Sequence, residues 1–117
     1  MTITLSVRTA LWRADVARLA SAVDGLVPVV KGNGYGFGRL LLADIAAQFA
    51  DTVAVGTVHE LVGLPEALTP MVLTPTLVAP PTTRPILTVG HAAHVAALGG
   101  WSGRVVVKLS STAGATS

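Results

Sequence analysis

A chain of 117 residues that is 51% hydrophobic and only 12% charged holds one modest domain, and so few charges on so small a body leave apolar surface for a larger parent or a partner subunit to cover. Its net charge of +2 comes with arginines scattered from Arg8 to Arg104, which is no electrostatic footprint for nucleic acid, and the absence of cysteine excludes disulfide scaffolds and thiolate metal sites. Thr2, Thr4 and Ser6 stand where a signal peptide needs a charged and then an apolar stretch, and Asp44, Gln48 and Asp51 break the best apolar run well short of the roughly 18 residues of a membrane span, so a cytoplasmic protein without membrane partners is expected.

Ile3, Leu5 and Val7 alternate with polar residues and predict a short first strand. Trp12, Val16, Leu19 and Val23 recur at helical spacing, with Thr9 as the expected cap and Gly25 as the expected stop. Leu26 to Lys31 reads as a buried strand, followed by a glycine turn. Arg39 to Ala50 presents Leu41 or Leu42, Ile45 and Phe49 on one stripe of a second helix, and Thr52 to Val58 is the next strand. The pattern then repeats: a short helix over His59 to Leu68 broken near Pro65, a strand over Met71 to Leu77 interrupted by Pro75, and a proline-rich connection from Ala79 to Pro85. A strand over Ile86 to Val89, a helix over His91 to Leu98 and a last strand over Arg104 to Leu109 complete it. Alternating strands and helices rich in Ala, Val and Leu predict an α/β fold with a parallel sheet. A complete eight-stranded barrel takes about 250 residues, so the chain reads either as a small open sheet or as roughly the first half of a (β/α)8 TIM barrel.

Only two lysines occur, and both close apolar runs: Leu26-Val27-Pro28-Val29-Val30-Lys31 and Val105-Val106-Val107-Lys108. Lys31 leads directly into Gly32-Asn33-Gly34-Tyr35-Gly36-Phe37-Gly38, with a glycine at every second position. A lysine held among apolar walls is more readily neutral, and the neutral amine is the nucleophile that builds a Schiff base with a carbonyl. Glycines beside it allow tight bends and let backbone N–H groups face an anion. The C-terminal end of a strand is also where barrels and open α/β sheets alike place ligands. A nucleotide loop is excluded, because Gly-x-Gly-x-x-Gly fails in every register from Gly32 onward and no Gly-Lys-Ser/Thr follows. His91 and His94 have no third ligand and read as helix-surface residues, while His59-Glu60 lacks the second histidine of a zinc-protease motif because position 63 is glycine. No metal is expected.

The segment Val-Pro-Val-Val-Lys31-Gly-Asn33-Gly-Tyr35-Gly-Phe37-Gly38 resembles the signature around the cofactor lysine of alanine racemases, which reads Lys-Ala-Asn-Ala-Tyr-Gly-His-Gly. Lysine, asparagine, tyrosine and the last two glycines stay in register. A helix on either side, and a strand of the type Val53-Ala-Val-Gly-Thr-Val followed by Glu60, extend the likeness over most of the chain. The resemblance implies an enzyme dependent on pyridoxal 5'-phosphate, with an N-terminal barrel and a small amino acid as substrate. The lysine matching Lys31 is then both the cofactor-binding and the catalytic residue: it carries the cofactor as a Schiff base and afterwards moves the α-proton on one face. The tyrosine matching Tyr35 helps hold the cofactor phosphate.

The same resemblance implies a homodimeric parent whose second acid/base is a tyrosine from a C-terminal β domain. The sole tyrosine here is Tyr35, so residues 1–117 read as the N-terminal part of such a barrel without that domain, inactive alone. Phe37 replaces the histidine common in the motif. Lys108 stands where some members carry a second, carbamylated lysine, but the following Leu-Ser-Ser-Thr-Ala-Gly departs from the family and favours an ordinary strand-end lysine. Two alternatives share the barrel: a decarboxylase of basic amino acids, against which the Tyr35-Gly36 continuation speaks, and a non-catalytic pyridoxal-phosphate carrier, which lacks the asparagine and tyrosine.

Overall fold

The computed structural model describes residues 6, 8–34 and 36–109. The strand expected over Ile3 to Val7 therefore falls, apart from Ser6, outside the described residues, as does Tyr35. Helix α1 spans Thr9–Ala22 and α2 spans Arg39–Ala46. Strand β1 (Thr52–Val55) leads through a 3₁₀ turn at Val58–Leu61 to β2 (Thr69–Val72), then β3 (Ile86–Val89), helix α3 (Ala92–Ala97) and β4 (Val105–Val107).

All four strands are parallel, and they lie side by side in chain order. A fifth parallel segment joins the β1 edge, where Val29 bridges Ala54. A doubly wound sheet reverses its strand order at a switch point, whereas a barrel adds each new strand on the same side. Five successive parallel segments without a reversal are a stretch of barrel wall. The α/β, partial-barrel reading of the sequence is borne out.

Register sorts the side chains onto two faces. Val53 and Val55, Val72 opposite Val55, and Leu87 opposite Val72 point the same way. Together with Val30, Val89, Leu64, Leu68 and Leu98 they form a buried cluster against Ala43 and Ala46 of α2. Burying this row supplies the main driving force for the layer, roughly 1.5–3 kcal/mol for each large aliphatic side chain. The other face carries Val29, Ala54, Met71, Ile86, Thr88 and Val106, and in a barrel it faces inward. Thr88 is buried there because its hydroxyl donates to the Val72 carbonyl at 2.7 Å. At the N-terminal end of the sheet, Arg84 fastens the β1–β2 connection by donating to the carbonyls of Pro65 and Leu68, each at 2.6 Å.

Several predicted elements are shorter. The strand over Leu26 to Lys31 shrinks to the bridge at Val29, since Pro28 has no N–H to donate and offers only its carbonyl to Ala54. Thr9 is the first residue of α1 rather than its cap; Arg8 holds that position and makes no side-chain cap. Helix α2 ends at Ala46, with Ala43, Ile45 and Ala46 buried and Leu41 left exposed. The helix expected over His59 to Leu68 is only the 3₁₀ turn, because the chain turns extended at Val62 and takes a positive φ of 80° at Gly63.

Candidate functional site

Lys31 leaves the sheet at its C-terminal edge. The Val30 N–H donates to the Ala54 carbonyl at 2.9 Å, and the Ala54 N–H donates to Pro28 at 2.7 Å, which sets Lys31 beside Gly56. A Cβ on Gly56 would lie 3.4 Å from that of Lys31. Four strands away the arrangement recurs: the Lys108 N–H donates to Val89 at 2.8 Å, and a Cβ on Gly90 would lie 3.7 Å from that of Lys108. Both lysines thus alternate onto the face turned away from α2, each beside a glycine that leaves room for a ligand. Among the described residues no apolar walls enclose the two lysines as the sequence led us to expect: Val30 is buried, but Lys31 and Lys108 are exposed.

The glycine turn serves a different purpose from the one expected. Gly32, Gly34, Gly36 and Gly38 have φ values of 63°, 67°, 89° and 94°, in the left-handed region that only glycine adopts freely. Their N–H groups do not face outward. Gly34 donates to Lys31, Phe37 to Gly34 and Gly38 to the Asn33 carbonyl, while Gly36 donates to the Asn33 side chain at 3.1 Å. Gly32 donates to Glu60. These five N–H groups are spent within the protein and not presented to an anion. Asn33 is the turn's internal pin, and Phe37 anchors it from outside by stacking on Trp12 of α1, ring centres 5.8 Å apart.

Glu60, which the sequence reading noted only as part of the likeness, ties the glycine turn to the segment after β1. One carboxylate oxygen accepts the Gly32 N–H; the other accepts the Thr57 N–H at 2.6 Å and the Thr57 hydroxyl at 3.0 Å. Thr57-x-x-Glu60 is a capping box, and that pattern was its available signal. Burial pushes the Glu60 carboxyl up, but the donors from Gly32, Thr57 and Gly56 outweigh it and hold the group below the ordinary glutamate range. Arg39, the first residue of α2, donates to the Glu60 carbonyl at 2.6 Å and to that of Val62 at 3.2 Å.

The residues present fit pyridoxal 5'-phosphate at its aldehyde end, where an amine stands at an open sheet edge beside a position without a side chain. The turn N–H groups of Gly32, Gly34, Gly36, Phe37 and Gly38 already have partners within the protein and are not open to the cofactor's phosphate. His91 and His94 act locally: the first caps α3 by accepting from Ala93, and the second accepts from Gly90. Among the described residues there is no cluster of three or more acidic, histidine or cysteine side chains that could hold a metal, and no helix long and apolar enough to cross a membrane. A cavity of about 690 Å³ between the loops after β1 and β2 is lined by apolar residues such as Val62, Leu77 and Val78 and does not include Lys31.

No curated protein matches the chain. The family model for the N-terminal domain of alanine racemase matches residues 8–108, a span that takes in both lysines, the glycine turn and every strand of the sheet. The chain therefore belongs to the alanine racemase N-terminal domain family, whose barrel domains bind pyridoxal phosphate.

Proposed function

We propose that this chain supplies the cofactor-lysine side of a pyridoxal-phosphate-dependent amino-acid racemase that interconverts L- and D-alanine. The observation that supports it is the position of Lys31, on the face of the parallel wall turned away from α2, at the C-terminal edge, immediately before the glycine turn. When bound, the cofactor supplies an electron sink that makes the α-proton of an amino acid removable. Lys31 binds the cofactor and exchanges that proton at its amine on one face of the substrate. Tyr35 is proposed to hold the phosphate. The opposite face needs a second base, which in this reading comes from a C-terminal β domain of a homodimeric parent protein in the cytoplasm.

The test is reduction with borohydride after addition of pyridoxal phosphate, followed by peptide mapping. A phosphopyridoxyl group is expected on Lys31 and lost in Lys31→Ala. Lys31→Arg should fail equally, because a guanidinium stays protonated and is no nucleophile. Residues 1–117 alone should not racemise L-alanine measurably by polarimetry, having one face served and the other not. Trapping confined to Lys108 would overturn the assignment.

A further inference from the structure

Both ends of the glycine turn are tied to one residue. Gly32, the first residue after Lys31, donates its N–H to the Glu60 side chain, and Arg39, the first residue after Gly38, donates to the Glu60 carbonyl. A Cβ at position 56 would come within 2.8 Å of a Glu60 carboxylate oxygen, which would have to shift, and 3.4 Å of the Lys31 Cβ. Lys31, Gly56 and Glu60 thus form one packed unit. A capping box uses a single acceptor oxygen of its acidic residue; here the second oxygen reaches across to a segment 28 residues earlier in the chain.

We infer that Glu60 is a positioning residue for Lys31. Its carboxylate clamps the peptide that follows the lysine, so the direction in which the amine leaves the sheet edge depends on a group that accepts hydrogen bonds on both oxygens. This inference rests on the cofactor role proposed for Lys31, and it makes a prediction that the cap alone does not. In Glu60→Gln the amide oxygen can still accept from Thr57 and keep the cap, since glutamine serves in a capping box as glutamate does. Its NH₂ then meets the Gly32 N–H, donor against donor. In Thr57→Ala the hydroxyl is lost but the carboxylate keeps Gly32.

The two-lysine chain carries its own reference, because Lys108 lies far along the same edge and does not touch Glu60. The full chain is treated with pyridoxal phosphate and borohydride, and the ratio of phosphopyridoxyl on Lys31 to that on Lys108 is read by peptide mass analysis. In parallel, the Gly32 amide proton is followed by ¹⁵N-labelled NMR. The expected result is a fall of about tenfold in the ratio for Glu60→Gln, of the size that small misplacements of a reacting group produce, with an upfield move of the Gly32 amide. Thr57→Ala should leave both unchanged within about twofold, although it also weakens the cap. An unchanged ratio in Glu60→Gln, or equal falls in both variants, would overturn the positioning role. If the wild-type chain shows no preference for Lys31, the cofactor reading itself fails, and the Gly32 amide still decides whether Glu60 holds the turn.

Discussion

Gly34 should be the least replaceable residue of the glycine turn. Adding a methyl group at Gly32 meets nothing within 4 Å, and the same holds at Gly36, so alanine there suffers only from a positive φ. That penalty is about 1–2 kcal/mol. At Gly34 the added Cβ would sit 2.8 Å from both the carbonyl carbon and the oxygen of Gly38 and 2.9 Å from the Arg39 nitrogen. Carbon contacts are optimal near 3.5–4.0 Å, and these three neighbours are backbone atoms that no rotamer change can move. Relieving the overlap means opening the turn at the point where α2 begins, and overpacking of this kind typically adds about 1–3 kcal/mol. Gly34→Ala should thus cost about 2–5 kcal/mol in all, against about 1–2 for Gly32→Ala. Urea unfolding followed by circular dichroism reads the difference: with a slope of about 2 kcal/mol per molar, the two midpoints should stand about 0.5–1.5 M apart. Equal midpoints would refute the claim that position 34 is a packing glycine and the others conformational.

Three further outcomes follow from the geometry. Arg84→Met removes charge-assisted bonds to Pro65 and Leu68 at the end of the sheet far from the lysines; it should lower stability by about 2–4 kcal/mol in urea while leaving pyridoxal-phosphate trapping at Lys31 unchanged. Phe37→Leu should cost about 0.5–1.5 kcal/mol and shift the Trp12 fluorescence, because it ends the ring stack without emptying the site. The Glu60 carboxyl is lowered in the folded chain, so its contribution is complete above the ordinary glutamate pKa of about 4.3 and is lost as pH falls through the lower folded value; stability measured from pH 7 downward should therefore drop in this window for the wild type and less steeply for Glu60→Gln.

The sequence carried the order of the wall better than the length of its parts. Ile86 to Val89 was legible to the residue, since a short apolar run bounded by Pro85 and Gly90 leaves little choice. Leu26 to Lys31 looked equally apolar, yet pairing depends on a neighbour's donors and on Pro28, which a hydrophobic pattern does not weigh. Lys31 and its turn were legible as a motif, but not the use of the glycines. Counting glycines suggested open N–H groups, whereas the Asn33 side chain and carbonyl take those of Gly36 and Gly38 and the Lys31 carbonyl takes that of Gly34. Glu60 was hidden for the opposite reason: its partner Gly32 lies far away along the chain, and only the docking of β1 beside segment 28–30 brings them together.

The closed hydrogen bonding of that turn bears on how any ligand at the rim would be met. Gly32, Gly34, Gly36, Phe37 and Gly38 have already given their N–H groups to partners within the protein, so an arriving molecule has none of these donors to recruit. The freedom of five residues, each worth about 1–2 kcal/mol of backbone entropy, is surrendered when the chain folds and not when a ligand docks. Recognition at this edge is accordingly preorganised, with little loop ordering left to oppose it. With these five donors already committed, selectivity toward a ligand at this edge would fall to side chains that project from it.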